Sequence, residues 1–414
     1  MTHIRTTTAI IGAGQSGIAM SHALGERGID HVLIEQGRAG QSWRSRRWDS
    51  LRLLTPNAMN SLAGMPYQGR DPEGFMKASE FATDFDAWIA KFAPPLIEGV
   101  RVQSLTTGPH GYAVQTDDKR IEAASVVVAT GQCARSKRPP FAKDIPGDIA
   151  QLSPLDYKSP EALPEGGVLV VGAAASGLQI ARELRRNGRR VVLAVGNHSR
   201  LPRRYRGKDI VTWMSLAGLF DEPITDPADL ERLRRLPSLP LVGDPDKSDI
   251  DLNTLQAIGI EIAGRFAAYR DGTALFSGSL SNVCASADLK MNRLLDRIDA
   301  LIDDQGLANI EAPHRLAPTR VPEAPCLSLD LKEAGIGTIL WATGFEPDHS
   351  FIDLPVFDRK GRIQHDGGVV GHGLYVMGLT HMRTSRSTHI DGAPGDAAAL
   401  ADHFVSTLAQ KRAA

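Results

Sequence analysis

The stretch Thr7–Gln36, TTAIIGAGQSGIAMSHALGERGIDHVLIEQ, is written a second time as Gly167–Gly196, GVLVVGAAASGLQIARELRRNGRRVVLAVG. A constant offset of 160 residues aligns the two without a gap, pairing Gly12 with Gly172, Gly17 with Gly177 and Gly28 with Gly188. Each copy reads as a short apolar strand (Ala9–Ile11; Val168–Val171), a tight glycine turn and an alanine-rich helix. That unit sets a pyrophosphate on a helix N-terminus. Gly12 makes the turn, Gly14 lets backbone approach phosphate, and Gly17 lets the helix pack on the strand. Gln15 and Ser16 open the helix beside them. In the second copy Ala174 replaces the middle glycine, and Gly172, Ser176 and Gly177 keep their places.

The copies differ at the end of their second strand, where Glu35 pairs with Val195. A carboxylate 18 residues past Gly17 accepts hydrogen bonds from both ribose hydroxyls of an adenosine and repels a 2′-phosphate. Val195 offers no carboxylate, and the chain continues GNHSRLPRRYRGK, which places Arg200, Arg203, Arg204, Arg206 and Lys208 after the strand. Arginine presents the bidentate fork that a 2′-phosphate needs. The first copy is therefore expected to bind FAD and the second NADPH, with Arg200 and then Arg203 as the first candidates for the 2′-phosphate.

At 414 residues, with 42% hydrophobic and 23% charged residues, the chain has the composition of a globular protein of two domains. A formal charge of −1 supplies no long-range field for nucleic acid. No apolar leader precedes the first strand and no run of about 18 apolar residues occurs, so no membrane partner and a cytoplasmic location are expected. Cys133, Cys284 and Cys326 are far apart and form no CxxC, which reads as structural thiols. Neither ligand-like histidine spacing nor a GxSxG nucleophile signature is present, and no metal is expected.

The expected fold is α/β with two Rossmann-like dinucleotide-binding domains, the NADPH domain inserted into the FAD domain. Pro- and Gly-rich segments at Lys158–Gly167 and Ala312–Pro325 read as crossings, giving an FAD domain of 1–160 and 322–414 around an NADPH domain of 161–321. An irregular helical stretch is expected over Asp209–Leu241 and an amphipathic helix over Leu289–Asp303. GTILWATG, GLYVMG and a final helix over Asp396–Lys411 are expected to complete the first domain.

Further strings make the chain similar to a known family. They are the triplets Ala129-Thr130-Gly131 and Ala342-Thr343-Gly344, each closing an apolar strand, and GQSWRSRRWDSLRLLTPN over residues 40–57. With the paired glycine turns, these resemble class B flavoprotein monooxygenases, in the bacterial branch similar to flavin-containing monooxygenases and described as flavoproteins of cation transport. The likeness runs from about residue 7 to 405. It implies NADPH reducing FAD, O2 adding at flavin C4a, and the resulting hydroperoxide oxygenating a small nucleophile. Amine or sulfur substrates are expected, and a homodimer is compatible with the family. One departure concerns the fingerprint ahead of the second glycine turn. Pro146-Gly147 and Tyr157 fit, but Ser153 stands where the family places histidine, which favours heteroatom oxygenation over ketone insertion.

The same resemblance assigns site residues. Asn57 matches the asparagine placed beside the flavin, with an Asx turn after Pro56 as its other reading. Gln41, Trp43, Arg44 and Asp49 should follow the FAD phosphates towards the ring, and Thr130, Gly131, Thr343 and Gly344 should border the cofactors. Gly392, Gly395 and Asp396 should open the last helix towards the flavin N1 and C2 carbonyl. His381, Arg383, Arg386, His389 and Asp391 lie on the loop before it. Two other functions stay open. One is an NADPH-dependent flavin reductase or oxidase passing electrons to a quinone, a protein or O2; the other is a non-enzymatic NADPH-sensing flavoprotein.

Overall fold

The computed structural model describes residues 2–308 and 310–413, with side chains at all of these except 227 and 408–413. Two sheets organise it, the first parallel at its centre with antiparallel strands added and the second wholly parallel. The first runs, in spatial order, Val369–Gly371, Leu374–Val376, Lys119–Val128, Thr2–Ile11, His31–Ile34 and Leu96–Ile97, and the hairpin Val102–Gly108/Gly111–Thr116 joins it through Lys119–Val128. The second runs Glu261–Ala263, Val191–Ala194, Gly167–Val171, Ile336–Trp341 and Ala150–Leu152, with every pairing parallel. Strands buried on both faces of a parallel sheet read as unbroken apolar runs, and Gly167–Val171 is buried along its whole length.

The first sheet takes its strands from both ends of the chain and the second from the middle, so one unit is inserted into the other as expected. The crossings differ from the expected ones. Ile336–Trp341, assigned above to the first domain, pairs with Gly167–Val171 in the second sheet and carries Ala150–Leu152 on its other edge. Ser328–Asp330 likewise extends the antiparallel sheet of Phe266–Arg270 and Thr273–Phe276 in the inserted unit. The chain crosses instead as a two-stranded ribbon, Arg135–Ser136 against Phe345–Glu346, and the Pro-rich segments are loops within the insertion.

The physical reason lies in the glycine turns. Gly12 (φ +104°) and Gly172 (φ +111°) adopt a conformation that glycine alone adopts readily. A Cβ on Gly12 would meet the carbonyl oxygen of Ala129 at 2.7 Å, and one on Gly172 would meet that of Ala342 at 2.4 Å. Each ATG triplet therefore closes its own glycine turn. Ala342-Thr343-Gly344 belongs to the second turn as Ala129-Thr130-Gly131 belongs to the first.

The helices Gln15–Glu26 and Ala175–Arg186 follow the turns. A Cβ on Gly17 or Gly177 would sit 1.8 Å from the carbonyl oxygen of Gly12 or Gly172, so both positions serve close helix packing as expected. The stretch 209–241 holds two short helices, Ile210–Leu216 and Pro227–Leu233. The amphipathic helix is longer than expected, Leu280–Asp304, and buries Cys284, Met291, Leu295 and Ile298 along one face. The last helix, Ala393–Ala413, packs on the first glycine helix.

Candidate active site

A cavity of about 1740 Å³ lies between the two sheets and takes in both glycine turns. Single ligand pockets usually span roughly 300–1,000 Å³, so this one has room for more than one large ligand. Gly12, Gly14, Gln15, Ser16, Glu35, Gln41 and Trp43 line it from the first unit, and Gly172, Ala174, Ser176 and Gly196 from the second. Thr130, Gly131, Thr343 and Gly344 line it where the chain crosses.

The residues fit two dinucleotides. The first helix is capped by Gly14 and the second by Ala174, and neither cap supplies a side-chain hydrogen bond. The first-turn amides therefore keep their positive potential for an anion. A Cβ on Gly14 would meet no protein atom within 4 Å, so the space glycine leaves there opens onto the cavity. Thr130 Oγ1 is buried without a partner. Glu35, 8% exposed, accepts one backbone N–H on each carboxylate oxygen, from Ala13 at 2.8 Å and Gly37 at 3.0 Å. Each oxygen retains a lone pair for a ribose hydroxyl. Trp43 Nε1 donates to Gln15 Oε1 at 3.1 Å, and the Trp43 ring meets Phe81 edge-on.

Several expected site residues lie elsewhere. Arg200 is 3% exposed and holds Asp251 (Nε to Oδ2, 2.9 Å) and Asp288 (2.8 Å). Arg203, 1% exposed, chelates Asp209 and lies over the Phe75 ring. Arg206 pairs with Asp299, Arg204 bonds the carbonyl of Gly207, and none of these arginines lines the cavity. Arg200, Arg203 and Arg206 are thus held in internal ion pairs by Asp251, Asp288, Asp209 and Asp299, carboxylates of segments packed against them. The cation at the end of the second sheet is Arg265, which follows Glu261–Ala263, lines the cavity beside Gly196 and donates to Asn197 Oδ1 at 2.6 Å. Its signal in the sequence was a position one strand further along than the arginine run.

Asn57 is also displaced from its expected role. It is 6% exposed and does not line the cavity. Its Oδ1 accepts from the Met76 amide at 2.6 Å, while Nδ2 donates to the Asp71 carbonyl at 2.9 Å. The side chain clamps the loop over 67–76 through bonds to residues 10 to 19 positions away, which is not the local Asx turn of the other reading. Asp49 is exposed and outside the cavity. Gly392 and Asp396 stand behind it. A Cβ on Gly392 would sit 2.0 Å from the Arg386 carbonyl, and burial pushes the Asp396 carboxyl up while Ser387 bonds it. They brace the loop whose residues Ser387, Thr388, His389 and Ile390 do reach the cavity. Near the fingerprint, Ser153 caps a turn through Asp156, and Tyr157 donates to Glu183 at 2.9 Å, its hydroxyl pushed up by burial and that carboxylate.

The C-terminal loop meets the insertion through Arg386, which bonds Asp221, Ser215 and Asp391 and lies over Phe220. His389 packs edge-on against Phe220 at 4.5 Å. Burial pushes both His381 and His389 below the ordinary imidazole range, so the cavity wall they form carries neutral rings near neutral pH. Phe220, Met214 and Leu219 add an apolar surface beside them. Cys133 lines the cavity as a free thiol that burial pushes up. Among the described residues no helix is long and apolar enough to cross a membrane.

The profile of the pyridine nucleotide-disulphide oxidoreductases matches residues 9–215, half of the chain. A CzcO-like oxidoreductase of Geobacillus kaustophilus is 29% identical over 98% of this chain and 100% of its own. Indole-3-pyruvate monooxygenase YUCCA1 of Oryza sativa is 29% identical over 45% of this chain and 47% of its own. Among solved structures, the flavin-containing monooxygenase from Stenotrophomonas maltophilia superposes with a TM-score of 0.68 at 16% identity, over 98% of this chain and 99% of that one. The resemblance to class B flavoprotein monooxygenases is borne out by these relatives. The chain is an oxidoreductase and belongs to the pyridine nucleotide-disulphide oxidoreductase family.

Proposed function

We propose that the chain is an FAD- and NADPH-dependent monooxygenase acting on a small amine or sulfur nucleophile. The observation that carries this reading is the single cavity onto which two uncapped glycine-turn helices open, one with a carboxylate at its strand end and one without. When bound, the flavin accepts hydride from the nicotinamide and activates O2. Glu35 holds the adenosine ribose, the first-turn amides of Gln15–Glu26 and Ala175–Arg186 hold the two pyrophosphates, and Arg265 faces the 2′-phosphate. Phe220, Leu219 and Met214 keep water from the reacting end, which oxygen transfer requires. The monooxygenases named among the relatives support oxygen transfer over simple electron transfer.

Purified protein should be yellow and release FAD, and Glu35→Ala should weaken FAD retention by roughly 1.5–3 kcal/mol per lost charge-assisted bond. Oxidation of NADPH under labelled O2, with amine and thioether substrates, should place one labelled oxygen atom in product. NADPH oxidation with hydrogen peroxide as sole product across those substrates would favour the reductase or oxidase reading. Absence of NADPH-driven flavin bleaching would leave only a sensing role.

A further inference from the structure

The cavity has a positively charged wall that neither dinucleotide requires. Arg234 and Arg235 line it at the end of the helix Pro227–Leu233, and His381 lines it from the C-terminal loop. The two elements are joined by a bond from the Ile224 amide to the Arg383 carbonyl at 3.0 Å. Among the described residues the Arg235 guanidinium has neither an ion pair nor a hydrogen bond. Arg234 has only Glu231, at 3.6 Å, and Glu231 is shared with Lys360 at 3.3 Å and with Arg362. Arg362 is held also by Asp358. Four cations, Arg234, Arg235, Lys360 and Arg362, thus stand against two carboxylates, Glu231 and Asp358, an excess of two positive charges.

The surroundings feel that excess. Burial lowers the Arg234 guanidinium, and repulsion from Arg362 adds to the effect. His381 Nδ1 is buried without a partner, and Arg234 adds to the burial that keeps its ring neutral. A half-buried arginine with one distant, shared partner and an unpaired neighbour is poised for an anion, and carboxylate matches the guanidinium fork. The phosphates are provided for elsewhere, at the two glycine turns and Arg265. Next to the charged wall the cavity is apolar, with Leu219, Phe220 and Leu236.

We propose that Arg234 and Arg235, with His381, bind a carboxylate, and that the substrate is an organic acid whose apolar body lies against Leu219, Phe220 and Leu236. The proposal rests on the monooxygenase reading for the word substrate, while the anion site itself can be measured without turnover.

The test is calorimetric titration of the FAD-loaded enzyme, oxidised and without NADPH. The probes are phenylacetate, 3-phenylpropanoate and 3-(methylthio)propanoate, each beside its own uncharged amide. At least one acid should bind about tenfold or more tightly than its amide at low salt, and the margin should shrink as salt rises. Arg235→Gln should remove about tenfold of the acid affinity and leave the amide unchanged. The double change Arg234→Gln with Arg235→Gln should abolish the preference. No acid preferred over its amide, a preference that survives Arg235→Gln, or a loss of NADPH affinity parallel to that of the acid would each overturn the proposal. Because Arg235 is exposed and unpaired, its single variant decides even where the double variant fails to fold. Failure of oxygen incorporation would sink the monooxygenase reading and leave the binding result standing.

Discussion

Arg265 donates to the amide oxygen of Asn197 at 2.6 Å, tying the segment after Glu261–Ala263 to the loop after its neighbour Val191–Ala194. On the proposed reading, this arginine would meet the 2′-phosphate of a coenzyme held on the second glycine turn. Arg265→Ala should raise the Michaelis constant for NADPH by about tenfold to a hundredfold, the range set by losing roughly 1.5–3 kcal/mol of charge-assisted bonding. The constant for NADH should change little. Initial rates of flavin reduction with both coenzymes check this, and an unchanged ratio places the phosphate contact elsewhere.

Arg200, by contrast, should matter to stability and not to coenzyme choice. Its side chain is 2% exposed against Asp251 at 4%, so removing the cation strands a buried carboxylate. Breaking such a pair costs roughly 3–5 kcal/mol. Denaturant unfolding of Arg200→Ala should show a loss of that order, with the NADPH-to-NADH ratio of the folded fraction intact. A selective rise in the NADPH constant would restore Arg200 to the nucleotide.

Asn57→Leu should likewise act through folding. The change leaves the buried Met76 amide without its partner, at roughly 1–3 kcal/mol, and also frees the carbonyl of the exposed Asp71. A lowered melting temperature with product still coupled to NADPH use is the expected result. Hydrogen peroxide overtaking product in a fully folded, FAD-loaded variant would show that the amide does serve the flavin.

His349 should set part of the acid limit. It is 8% exposed, its Nε2 has no partner, and burial pushes it down to about 4. The unfolded imidazole takes up its proton near pH 6.5 while the folded one does not, so stability is complete above about 6.5 and falls as pH drops towards about 4. Over the full window the loss is roughly 3 kcal/mol at 1.36 kcal/mol per unit. Melting temperature against pH should decline less steeply in His349→Gln than in the parent. Some slope should persist, because burial lowers His198, His365, His381 and His389 in the same direction. Parallel curves for the two proteins would discard the assignment.

Local patterns were enough for the two glycine turns. Gly12, Gly17, Gly172 and Gly177 are dictated within about 30 residues of sequence, by a strand, a positive-φ turn and a helix that must pack on its own turn. Glu35 was legible for the same reason, since the strand His31–Ile34 returns it beside the first turn at a fixed spacing. The ATG triplets were recognisable too, although their part as the covers of Gly12 and Gly172 needed the sheets.

The chain by itself therefore determined that two dinucleotide units exist, that one is acidic at the ribose and the other is not, and that one is nested in the other. Tertiary structure decided where the crossings fall, because a strand such as Ile336–Trp341 is equally apolar in either sheet and only pairing assigns it. It also decided which arginines are free. Arg200 and Arg265 look alike in sequence, but a guanidinium is available to a ligand only when no carboxylate from a distant segment reaches it. Asp251 and Asp288, brought to Arg200 from 51 and 88 residues away, are such partners, and no local pattern records them.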